Sequence, residues 1–204
     1  MALVAIEGFE FYETQQNLAL KYPFGHDGTL SFTDGRMGQT ALNVPVGSNK
    51  FSLMPLASCD TYVIGFAVKF SGTLGLYPGF VKFCQDHVTH LSLNQNTNGT
   101  LTLLSQSFLG TTTNSIVSDY WNYIEIKFYI HPTEGYVNLF VNGSQWLSIP
   151  LCNSYNPASP TRTVNQITWS NLSTTSTSLQ VDDVYVLQNT TTSLGSVFVE
   201  SRIP

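Results

Sequence analysis

Residues 62–70 read YVIGFAVKF, with Lys69 the only charge among them. Alternation puts Tyr62, Ile64, Phe66, Val68 and Phe70 on one face and Val63, Gly65 and Ala67 on the other. Both faces are apolar, so a strand built from this stretch is covered on both sides. It belongs to the inner region of a two-layer structure. Similar patterns follow at 123–130 (YIEIKFYI), 136–141 (YVNLFV), 146–151 (WLSIPL) and 179–187 (LQVDDVYVL), with shorter ones at 91–93, 101–104, 164–169 and 197–200. No segment shows a 3.6-residue period. Asn142-Gly143 joins two of these patterns and predicts a hairpin, because a type I′ turn needs positive φ at both central residues. Clusters at 94–99, 131–135 and 171–178 read as turns, and the threonine runs at 111–113, 174–178 and 190–192 read as loops. Short strands punctuated in this way predict an all-β, two-sheet antiparallel sandwich. One domain over 1–204 with short N- and C-terminal extensions is expected.

Composition points the same way. Of the 204 residues 42% are hydrophobic and 13% aromatic, but only 10% are charged, against roughly 25% in an average soluble domain. Polarity comes instead from 23 Thr, 21 Ser and 15 Asn. Strand formers abound and the helix formers Glu, Lys, Arg and Ala are scarce, which excludes a helical bundle. Abundant Leu, Ile, Val and Phe with a net charge of −5 exclude disorder. The basic residues stand singly, with no stripe to follow a phosphate backbone, so no nucleic-acid partner is expected. Cys59, Cys84 and Cys152 lack CxxC spacing and are odd in number; they are expected as buried free thiols of a protein made in a reducing cytoplasm. Glu7 and Glu10 follow the apolar start at once and no basic region precedes it, which is not a signal-peptide pattern. No apolar run approaches the ~20 residues of a membrane helix, so no membrane partner is expected.

Six segments carry a resemblance. Trp121–Phe128 (WNYIEIKF), Gly135–Gly143 (GYVNLFVNG) and Val181–Val186 (VDDVYV) resemble the concanavalin A-like (laminin G-like) jelly roll. The segments DGRMGQTAL at 34–42, LGSVFV at 194–199 and EGFE at 7–10 are similar to elements of the versions found in tailed-phage virion proteins. They occur in the expected order. The resemblance implies a jelly-roll sandwich and a non-enzymatic structural protein of a bacteriophage virion, a capsid decoration or cement protein located in the particle. Its partners would be the major capsid protein or other virion proteins, and it would form a homo-oligomer, a trimer at three-fold positions being the natural arrangement. The alternative is a carbohydrate-binding, lectin-like module for receptor binding or a tail. There Tyr77, Tyr155 or Trp146 would stack on a sugar. The resemblance also raises a structural calcium held by Glu10 with Asp182 or Asp183, hard oxygen ligands that suit this ion. The other reading of these acids is that they bond backbone amides or face solvent.

Catalytic chemistry is not legible. The glycosidases of this fold carry an E-x-D-x-x-E strand, which is absent, and retention or inversion needs two carboxylates at defined separation. Glu125 stands alone, pointing away from Ile124 and Ile126. Asp182 and Asp183 are adjacent in a strand pattern and are expected on opposite faces. There is no G-x-S-x-G elbow, and His87 and His90, three apart, would diverge from a strand. Catalytic, cofactor-binding and metal residues are therefore all expected to be none. Trp121 is expected to cap the core and Trp169 to lie in it, Trp146 is the one Trp that stands to be exposed, and Gly135 and Gly143 serve turns.

Overall fold

In the computed structural model these patterns become two antiparallel sheets. It describes residues 2–22, 26–37, 40–47, 50–53, 56–173, 178–192 and 194–195, with the backbone alone at 26 and 27. In chain order the first elements are β1 (Ala2–Glu7), α1 (Gln15–Lys21), β2 (His26–Asp27), β3 (Ser31–Asp34), β4 (Thr40–Val44) and β5 (Lys50–Leu53). Then come β6 (Thr61–Phe70), β7 (Tyr77–Gln85), β8 (Val88–Gln95), β9 (Thr100–Leu104) and β10 (Phe108–Ser115). The last are β11 (Asn122–Tyr129), β12 (Gly135–Val141), β13 (Ser144–Cys152), β14 (Gln166–Ser170) and β15 (Leu179–Gln188).

The first sheet runs β13-β12-β11-β6-β15-β4-β3, with β1 added on β15. The second runs β10-β9-β8-β7-β14-β5-β2. Strand β6, the stretch with two apolar faces, is flanked by β11 and β15 in the interior of the first sheet. One edge of β15 serves two strands: β4 pairs opposite Leu179–Val181 and β1 opposite Val184–Gln188. The first and last strands among the described residues are thereby joined.

Between the sheets the described residues form one apolar cluster. Phe66 meets Trp169 edge-on at 5.6 Å between ring centres, and Phe51 stacks on Trp169 at 6.1 Å. Trp169 is fully buried, as expected. Full burial of one such side chain stabilises by roughly 1.5–3 kcal/mol. A second, smaller cluster forms on the opposite face of β6: Val63, Ala67, Tyr123, Tyr185 and Leu187. Trp121 caps a core cluster, as expected, but it is this second one and not the main core of Ile124, Ile126 and Phe128. Cys59, Cys84 and Cys152 are free and buried, as expected.

The expected strands within the described residues all form, and the pattern at 197–200 lies outside them. Asn142 and Gly143 have φ 51° and 80°, the values the hairpin turn needs. Three readings of local structure change. A helix does exist, α1; with seven residues and only Leu18 buried it is too short to display a period. Thr14 caps it, its Oγ1 accepting from the Asn17 N–H at 3.3 Å. The Thr111–Thr113 run is part of strand β10: Thr112 turns inward and accepts from the Leu101 N–H at 2.9 Å, while Thr111 meets Thr102 at 2.7 Å. Gly135 lies in β12, not in a turn; a Cβ there would come within 2.6 Å of the Cys152 carbonyl, so close packing requires the glycine.

Candidate functional site

The face of the first sheet that points away from the core carries the polar and aromatic residues of interest. Strand register sets them in rows. Phe140, Glu125, Gly65 and Tyr185 pair in sequence across β12, β11, β6 and β15. The next row is Asn138, Lys127, Val63 and Leu187, and beyond it Tyr136, Tyr129 and Thr61. Gly65 is required: a Cβ would lie 2.6 Å from Tyr123 Oη and closer still to the Tyr185 ring. The Tyr185 hydroxyl donates to Glu125 and accepts from the Leu194 N–H at 3.4 Å. Burial, then the adjacent Glu125, pushes the Tyr185 hydroxyl far above its ordinary pKa. Lys127 Nζ is 3.7 Å from the other Glu125 oxygen and 4.7 Å from the Phe140 ring centre. Glu125 does point opposite to Ile124 and Ile126, as expected, but it is sealed at 5% exposure.

Asp182 and Asp183 do not follow the expected alternation. Between Asp182 and Tyr185 the register of β15 against β6 slips by one residue, and Asp183 takes φ 49°. This bulge lets one residue serve both carboxylates. The Arg36 N–H donates to Asp182 Oδ2 at 2.9 Å, and the Arg36 guanidinium donates to Asp183 Oδ2 at 3.2 Å while lying 5.1 Å from the Tyr123 ring centre. The Asp183 N–H donates to Asp182 Oδ1 at 2.8 Å. Burial pushes the Asp182 carboxyl up to about 7, opposed by the Arg36 amide and assisted by Asp183 and Glu10. Glu10 is raised by burial, then by the charges of Asp183 and Glu7. The charges of Glu10, Asp182 and Asp183 therefore act on one another. The donor set at Asp182 and Asp183 does not fit calcium. Both Asp182 oxygens accept backbone N–H groups, and Asp183 is matched by a guanidinium. Among the described residues no group of three or more His, Cys, Asp or Glu is placed to hold a metal ion. In the protein as folded, Arg36 supplies the positive charge.

Of the three expected stacking aromatics one is fully buried and two are half-buried. Tyr77 is fully buried in β7, a correction whose cause is its inward position against Phe70, at 4.7 Å between rings. Trp146 is half-buried and packs on the main core. Tyr155 is stacked on His90 at 5.5 Å, and its hydroxyl donates to the Ser159 carbonyl at 2.8 Å. His90 itself is buried in β8, accepting from the Asn156 N–H at Nδ1 at 3.0 Å. His87 stands in the β7–β8 turn at φ 70°, so nothing directs the two rings at one ion.

Residues not singled out in the sequence form the better site. A groove of about 330 Å³ crosses the outward face of β11, β12 and β13, lined by Lys127, Tyr136, Asn138, Phe140, Gln145 and Thr191. A second depression of about 500 Å³, lined by Thr61, Asn189, Thr190 and Thr191, shares Thr191 with it. The signal that could have found part of it is alternation in 136–141, which puts Tyr136, Asn138 and Phe140 on one face. What sequence could not give was the lateral register that adds Lys127, Gln145 and Thr191.

No protein-family model matches the sequence, and no curated protein is significantly similar to it. Solved structures are. An alginate lyase, Aly36B, superposes with a TM-score of 0.62 at 12% identity, over 90% of this chain and 96% of that one. Domain 4 of AbnA, an extracellular GH43 arabinanase from Geobacillus stearothermophilus solved with arabinotriose, gives 0.59 at 16% identity, over 90% and 91%. A sialidase gives 0.63 at 9% identity over 92% of this chain, which spans only 18% of that enzyme. The fold is a β-sandwich jelly roll. At such identities the likeness carries the fold and nothing of the chemistry.

Proposed function

We propose that this chain is a single-domain, non-catalytic, carbohydrate-binding β-sandwich. The observation that carries the reading is the groove over β11–β13, where aromatic rings, amides and hydroxyls converge on an open sheet face. Sugar recognition needs that combination: apolar ring faces to cover C–H groups and fixed polar groups to meet hydroxyls. The non-catalytic part rests on Glu125, whose oxygens are taken by Tyr185 and Lys127. It cannot act as a free acid beside a substrate. The AbnA domain, solved in complex with arabinotriose, is an instance of a similar fold holding an oligosaccharide. The test is a glycan array on purified protein, with assays for sugar release and eliminated products. Retention of glycans without turnover is expected; turnover removes the non-catalytic part, and an array without binders removes the binding part.

A second reading is favoured by a different observation, the ordered motifs at 7–10, 34–42, 121–128, 135–143, 181–186 and 194–199. They support a bacteriophage virion structural protein, a capsid decoration protein seated on the major capsid protein as a trimer. The two readings are compatible in an outward-facing adhesin. Mass spectrometry of purified virions should find the polypeptide, and light scattering should give a trimer. A chain missing from particles and monomeric in solution rejects this reading.

A further inference from the structure

We propose that the groove over β11–β13 takes an uncharged sugar unit and discriminates against acidic ones. This rests on the carbohydrate-binding reading and adds the ligand class. The one ammonium among the lining residues, Lys127, already has a partner: Glu125 Oε1 at 3.7 Å, with the two side chains only 17% and 6% exposed. Its remaining flank lies over the Phe140 ring at 4.7 Å. A uronate or sialate carboxylate entering there meets a cation whose charge is matched, beside the Glu125 carboxylate itself. It loses its hydration without gaining a free counter-charge. A second negative charge stands nearby: Asp60 raises the Tyr136 hydroxyl, after burial, above its ordinary value. The chain's net charge of −5 adds unfavourable long-range field for any polyanion.

The uncharged groups suit a polyol. Asn138 accepts from Ser148 Oγ at 2.8 Å through its carbonyl oxygen, which leaves its amide N–H groups for donation. Tyr136 Oη is buried without a hydrogen-bond partner among the described residues. Such a deficit is costly and is relieved by a ligand hydroxyl or the water it brings. The adjoining depression, lined by hydroxyls and the Asn189 amide, holds a neighbouring unit and again offers no charge.

Isothermal titration tests this with arabino-, gluco- and galacto-oligosaccharides as neutral probes and sialyllactose and oligoguluronate as acidic ones. The neutral series should bind and the acidic probes should not. Asn138→Ala and Tyr136→Phe should each weaken neutral binding about 3- to 10-fold, the value of one lost hydrogen bond. Should either variant fold poorly by circular dichroism, Gln145→Ala and Thr191→Ala carry the same test. Tighter binding of the acidic probes overturns this inference and leaves the carbohydrate reading standing. Neutral binding that all these variants leave unchanged overturns the assignment to this groove, and no binding of any probe overturns both.

Discussion

Two glycines separate steric from conformational need. Gly65 lies under the Tyr123 and Tyr185 rings, both buried, so a Cβ has nowhere to go. Gly65→Ala should cost about 1–3 kcal/mol in urea unfolding, the range for overpacking. At Gly143 nothing lies within 4 Å of a Cβ, and only φ 80° resists substitution. Gly143→Ala should cost about 1–2 kcal/mol, the left-handed penalty alone. Two titrating residues act in opposition. Burial holds the His90 ring below its ordinary pKa. The unfolded chain therefore binds a proton near pH ~6.5 that the folded one refuses, and stability falls as pH drops below that point. Asp182 is raised to about 7. Folded protein keeps a proton that the unfolded chain loses near pH ~3.9, so this contribution falls as pH rises from there towards 7. Between pH ~4 and ~6.5 the two slopes oppose each other. His90→Gln should make stability decline with rising pH in that window, and Asp182→Asn should make it climb. Parallel slopes in the two variants would contradict both assignments.

At the scale of elements, the junction of β1 with α1 hangs on Glu7. Its Oε1 accepts from the Phe9 N–H at 3.0 Å; Oε2 accepts from Tyr12 at 3.1 Å, Lys21 at 2.6 Å and Tyr22 at 2.8 Å. Glu7→Gln keeps the shape but removes the charge, and should cost about 1.5–3 kcal/mol. Amide exchange should quicken first in α1; unchanged protection there would show that the helix is held by Leu18 packing alone. None of this was legible in the sequence, because the hub joins residues fifteen apart around a helix too short to show a period. Strands β6, β11, β12, β13 and β15 were legible, being long, apolar and bounded by turn residues. Strand β10 was not, since its threonines sit at an edge where hydroxyl pairing replaces apolar burial. Nor could alternation foresee the Asp182–Asp183 bulge, which only the pairing of β15 with β6 creates. For the groove, one strand's face could be read and its neighbours could not.

At the scale of the molecule, low charge has a structural expression. On the outward sheet face Lys127 is paired with Glu125 and Arg36 with Asp183, while Lys69 lies over the Trp121 ring, so the groove over β11–β13 makes its contacts with uncharged groups. With Arg36 matching the acid cluster, thermal unfolding in calcium and in chelator should coincide; a raised melting temperature in calcium would show that the ion enters after all. The same arrangement predicts that ligands are held by hydrogen bonds and ring contacts, with weak dependence on salt. Amide chemical-shift mapping by NMR, with a neutral oligosaccharide that binds, tests the central claim most directly. The account predicts saturable shifts concentrated at Lys127, Tyr136, Asn138, Phe140, Gln145 and Thr191. Shifts clustered elsewhere, or none at all, would contradict it.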